Sequence, residues 1–128
     1  KNTFIEGKIA SAGVSGFEPL DDQTISRWHK NTISTGSLTI SWYLTAPHRT
    51  SFWDYYITKP GWNPNNPLKI SDFEHIKQID DHGAVPQKVV NQKITIPSNR
   101  KGYNIILAVW NISDTTNAFY QVIDVNIR

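Results

Sequence analysis

The chain has 128 residues, a length that suits one domain with a self-sufficient core and leaves little room for a second. Thirteen Lys and Arg against eleven Asp and Glu leave a formal charge of +2, and the basic residues are scattered, which argues against a nucleic-acid partner. With no Cys there are no disulfides, thiolate metal sites or thiol nucleophiles, and no run approaches the roughly 18 apolar residues of a membrane-spanning helix.

The chain opens on Lys1-Asn2-Thr3-Phe4-Ile5-Glu6, which lacks the apolar core of a signal peptide; both a processed secreted chain and a cytosolic one fit that. Residues 21–29 (DDQTISRWH) predict a short helical turn capped by Asp21. Residues 38–45 (LTISWYLT) alternate, with Leu38, Ile40, Trp42 and Leu44 on one face, the period of a half-buried strand. Residues 53–58 (WDYYIT) predict a second strand, stopped by Pro60-Gly61. Residues 58–85 show little periodicity and read as one long loop, of the kind that is functional or packed by its own aromatics. Within it, the capping-box spacing of Ser71 and Glu74 has no helix to follow.

Strands return at residues 88–96 (KVVNQKITI), 103–110 (YNIILAVW) and 118–127 (AFYQVIDVNI). The second of these is nearly all apolar, as in a strand buried on both faces. The last puts Phe119, Ile123, Val125 and Ile127 on one face, broken by Gln121. Short strands, Pro, Gly and Asn turns and no helical alternation predict an all-β fold, an antiparallel sandwich of the immunoglobulin or fibronectin-III type, as a single domain over 1–128.

Four histidines, His29, His48, His75 and His82, include no His-x-x-x-His pair, and no nucleophile elbow or phosphate loop occurs. The acid pairs Asp21/Asp22 and Asp80/Asp81 are sequence neighbours, so on extended chain they point apart and read as solvated loop acids. His48 leaves a strand in Thr45-Ala46-Pro47-His48. That position can hold a ligand at the end of a sandwich, although a lone imidazole reads equally as a surface histidine.

Residues 36–59 (GSLTISWYLTAPHRTSFWDYYITK) and 106–126 (ILAVWNISDTTNAFYQVIDVN), with GKIASAG at 7–13 and LDDQTISRW at 20–28, resemble the bacterial chitin-binding lytic polysaccharide monooxygenases of auxiliary-activity family ten. The likeness runs from Gly7 onward. It implies a secreted chitin-binding type-4 domain and a copper ion held in a histidine brace, three nitrogens in a T that suit Cu(II). By this resemblance His48 is the internal metal ligand. Ala46 and Phe119 flank the two axial positions, Trp110 is a nearby buried tryptophan, and Asp114, Thr115 and Asn117 are polar residues of the substrate face.

The family's first residue is a histidine, followed by a large loop region before the segment resembling residues 7–11. Here Lys1 to Glu6 stand in that place: either the loop is lost, and aligning Phe4-Ile5-Glu6 with the family's first strand puts Asn2 at the ligand position, or an N-terminal piece that precedes Lys1 in the natural protein is missing from this chain. The expectation is a binder of chitin or a related β-1,4 polysaccharide with an incomplete copper site. Copper-dependent oxidative cleavage and a protein-interaction scaffold are the alternatives. The sequon Asn111-Ile112-Ser113 lies at a predicted strand end, where glycosylation is disfavoured.

Overall fold

The computed structural model describes residues 30–115 and 118–128. Seven strands follow one another: β1 (Asn31–Ile33), β2 (Gly36–Tyr43), β3 (Thr50–Thr58), β4 (Phe73–Ala84), β5 (Val89–Ile96), β6 (Gly102–Ile112) and β7 (Ala118–Ile127). Five form one sheet in the order β1-β7-β6-β3-β4, and β2 pairs with β5 in a second. All ladders are antiparallel except the short β1–β7 pair. The two sheets pack as the expected β-sandwich.

Alternation decides which side chains meet between the sheets. Trp42 and Leu44, with Ile94 and Ile96, face Trp53, Tyr55, Ile57, Ile106, Ala108, Trp110, Ile112, Val125 and Ile127 from the larger sheet. The other face of that sheet carries a second cluster of Leu68, Phe73, Ile105, Leu107 and Val109, with Trp62 and Tyr103 packed against it. This is why β6 is apolar without a break from Ile105 to Trp110. Its even-numbered residues fill one core and its odd-numbered residues the other.

The long loop expected over 58–85 is corrected in its second half. After a single 3-10 turn at Ile70–Asp72, residues 73–84 form β4 on the edge of the larger sheet. Its pattern is concealed because the register shifts between Tyr55 and Tyr56 of β3: Tyr55 pairs with Lys77 and Tyr56 with His75, leaving Ile76 as an extra residue. Ile76 and Ile79 therefore pack on the same core although three residues apart, a spacing that no regular strand gives. The first half, residues 59–69, is a loop held by its own aromatic, with the Trp62 ring edge-on to Tyr103 at 5.3 Å. The turn expected at 21–29 lies outside the described residues.

Burial on both faces of β6 has a measurable consequence. Ile105 and Ile106 are both fully buried, one in each core, so Ile105→Ala and Ile106→Ala should each destabilise the fold by about 2–5 kcal/mol. Urea unfolding with an unchanged m-value checks this; a cost under about 1 kcal/mol at Ile105 would show the outer cluster to be no core.

Candidate functional site

One end of the sandwich is built where the chain crosses between the sheets. β2 finishes at Tyr43, the amide of Leu44 donates to the carbonyl of Lys88 at 2.7 Å, and β3 starts at Thr50. Pro47 lies just before His48 in the crossing and fixes its own φ while offering no amide donor. The crossing is short, so the position of His48 is dictated by the two strand ends.

The His48 ring is exposed, yet it is placed by the core. Trp53 and Trp110 stack at 5.4 Å between centroids with 6° between planes, and Trp42 tilts against both. Trp110 stacks on Phe119 at 5.2 Å. The imidazole of His48 continues this column, 6.4 Å from Phe119 and only 14° from its plane, and 5.8 Å from Trp110. These separations lie in the range of favourable ring pairs.

The backbone of His48 is fixed by a second device. The buried hydroxyl of Thr50 accepts the indole N–H of Trp110 at 2.6 Å and donates to the carbonyl of His48 at 3.0 Å. Beneath the column, the indole N–H of Trp42 donates to the Tyr55 hydroxyl at 2.9 Å, and that hydroxyl donates to Gln92. Burial pushes the Tyr55 phenol up to about 12, the Trp42 hydrogen bond opposing it. The phenol is therefore a neutral donor at any working pH.

A cleft of about 220 Å³ opens on this column, lined by Tyr43, Thr45, Ala46, His48, Trp110 and Phe119 among others. Ala46 thus sits at the lip with His48. Phe119, 49% exposed, is an apolar ring left facing solvent beside an imidazole. Beside it, the turn after β6 carries Asp114 and Thr115, both exposed. The amide of Ser113 donates to the carbonyl of Arg49 at 2.8 Å, which fastens that turn to the residue following His48.

Metal chemistry can be tested against these donors. Among the described residues no three His, Cys, Asp or Glu side chains group together, so His48 stands as a single nitrogen donor. An imidazole with an alanine and a phenylalanine beside it leaves open coordination positions and brings no competing carboxylate, which suits copper as one ligand of a set. No complete set of such donors forms among the described residues; Asn117 and the terminal segment with Asn2 lie outside them.

The comparisons with known proteins bear on the same residues. A family model described as "Lytic polysaccharide mono-oxygenase, cellulose-degrading" matches residues 1–125. A lytic chitin monooxygenase of Enterococcus faecalis is 67% identical over 128 residues, covering the whole of this chain.

The chain belongs to the lytic polysaccharide monooxygenase family.

Among solved structures, the polysaccharide monooxygenase CBM33 superimposes with a TM-score of 0.98 at 67% identity, covering 100% of this chain and 77% of that one. A CBM33 protein of Bacillus amyloliquefaciens in complex with Cu(I) gives 0.90 at 46%, covering 98% and 72%. This monooxygenase-family chain spans 66% of the length of the Enterococcus relative.

The family resemblance groups His48, Ala46, Phe119, Trp110, Asp114, Thr115 and Asn117; the structure brings His48, Ala46, Trp110 and Phe119 to one cleft and ties the turn before Asp114 to Arg49. Sequence reasoning missed Thr50 and the ties that hold the end together. Trp110 lies 60 residues from Thr50, and nothing local to either announces the contact. Asp54 was also missed. It is buried and accepts hydrogen bonds from Gln78 and Asn111 and pairs with His75 at 2.9 Å. His75 thus serves the β3–β4 edge and is not a partner of His48.

Thr50 gives the direct test of this construction in a monooxygenase-family fold. Thr50→Val keeps the shape but leaves the Trp110 N–H without its acceptor, and should cost about 1–3 kcal/mol. Thr50→Ser should recover most of it. Thermal unfolding of both checks the account, and equal stability of the Val variant and the wild type would contradict it.

Proposed function

We propose that this chain binds chitin through the end of the sandwich that carries His48, Phe119, Asp114 and Thr115. The observation that supports it most is the exposed His48 ring stacked on a half-exposed Phe119, with the Asp114 turn tied to Arg49 beside it. A flat polysaccharide surface is recognised by such a mixture, apolar ring faces against the sugar C–H face and polar groups against hydroxyl and amide groups. Ala46 gives the surface a small, smooth lip. Asn117, beside the same turn in sequence, is assigned to the same surface. A membership that covers residues 1–125 and a relative named for chitin support chitin as the substrate class. Secretion follows from this reading, since the polymer lies outside the cell.

Oxidative cleavage is the second reading, and the presentation of His48 favours it. The imidazole is clamped on one side by Phe119 and through its carbonyl by Thr50, so it is pre-oriented as one copper ligand. Ala46 and Phe119, which line the cleft with His48, would border such a metal. Copper, when bound, supplies the redox chemistry; this chain's residues hold one ligand, exclude bulk around it and seat the polymer.

Sedimentation with crystalline chitin tests the first reading. The wild type should be retained, and Asp114→Ala and Phe119→Ala should each weaken retention about tenfold, near 1.4 kcal/mol. No retention of the wild type would sink the proposal. For the second, Cu(II) calorimetry on the protein with its natural N-terminus should show His48→Ala losing at least about a hundredfold in affinity, roughly 2.8 kcal/mol; binding indifferent to His48 would rule copper out at this site.

A further inference from the structure

β4 does not end as a plain edge strand. Phe52 of β3 pairs with Asp80, and Thr50 pairs with Ala84. One residue of β3 therefore stands opposite three of β4, Asp81, His82 and Gly83, which must bulge from the ladder. His82 has φ +52°, and Gly83 follows with φ +82°. Among the described residues His82 is the only non-glycine with positive φ, a conformation that glycine adopts at less cost.

The bulge is fastened at several points, and most lead to the His48 end. The Asp80 carboxylate accepts the amide of His82 at 2.8 Å and lies 3.4 Å from its Nδ1. The Asp81 carboxylate accepts the indole N–H of Trp53 at 2.7 Å, and Trp53 is the inner ring of the column under His48. Arg49, the residue after His48, donates to the carbonyl of Gly83 at 3.2 Å. A Cβ added at Gly83 would lie 4.0 Å from the Ser113 hydroxyl, next to Asp114. The bulge therefore borders the surface formed by His48 and Asp114, on the side away from Phe119, because the strand order is β7-β6-β3-β4.

At its tip the imidazole of His82 is 83% exposed. It is a flat ring, and it is held at an energetic cost where glycine would serve the backbone better. Strain kept at such a place is an indication of use. Its neighbours Asp80, Asp81 and Arg49 are engaged with the His82 amide, the Trp53 indole and the Gly83 carbonyl, and the His82 ring, one nitrogen beside Asp80, presents its faces to solvent. We propose that His82 is a substrate-contacting residue. It would take a further sugar ring of the β-1,4-linked polymer about two strand spacings, ~10 Å, from the Asp114 turn. This rests on the chitin-binding reading and extends it to a residue beyond the His48 cluster.

The test uses the full chain and chitin sedimentation with the wild type, His82→Gly, His82→Asn and Asp114→Ala. His82→Gly suits the backbone, so its melting temperature should equal or exceed that of the wild type while its chitin affinity falls about five- to tenfold. His82→Asn tolerates the same φ and keeps hydrogen-bonding groups. Its binding should lie between the other two, because the ring face is lost. A His82→Gly variant that binds as tightly as the wild type, while Asp114→Ala is weakened, overturns the role of His82 and leaves the chitin reading standing. A wild type that does not sediment with chitin overturns both.

Discussion

The column of rings from Trp53 through Trp110 to Phe119 and His48 is the interaction on which the exposed end depends. Two of its members are core residues, Trp53 with no exposure and Trp110 with 5%. The outer two lie at the surface. A side chain at a loop tip ordinarily samples several rotamers, and ordering it on binding has an entropic cost. Here the close-packed interior sets the position of the surface ring instead, since the imidazole lies nearly parallel to Phe119 and interiors resist displacement. The hydroxyl of Thr50 couples the same tryptophan to the His48 carbonyl, so ring and backbone are referred to one buried residue.

That arrangement needs a larger sheet that is rigid, and the two-sided burial of β6 provides it. Trp110 sits near the end of a strand whose residues from Asn104 to Ile112 are all buried. Asn111, one position further, donates to the carbonyl of Phe52 and to Asp54, tying β6 to β3 by side chains as well as by the ladder. The Asp54 carboxylate, its other oxygen held by Gln78 and His75, ties β3 to β4 in turn. Three neighbouring strands thus meet at the same end with their relative positions fixed. The loops that leave them, at His48, Ser113 and Gly83, are joined by hydrogen bonds through both ends of Arg49.

Much of this was legible in the residues. Strict alternation over 38–45 placed Trp42 and Leu44 in the core, and the unbroken apolar run of β6 announced burial on both faces, because each pattern is the direct print of one strand in one environment. The position of His48 after a strand and before β3 was legible for the same reason. β4 was not, since an edge strand buries little and its bulge moves Ile79 out of phase with Ile76. Nor were the bonds of Thr50 with Trp110 and of Asp81 with Trp53 legible, each joining residues far apart in the chain. Local pattern carries the identity of strands; it carries nothing about which polar group closes a gap between two of them.

The central claim is that polysaccharide is recognised at the end of the sandwich ordered by this aromatic column. Hydrogen–deuterium exchange of the chain, free and bound to crystalline chitin, tests it most directly. The account predicts slowed exchange in residues 44–50, 80–84 and 112–119, with the rest of the sandwich unchanged. Protection confined to the opposite end, around Trp62 and Tyr103, would contradict it.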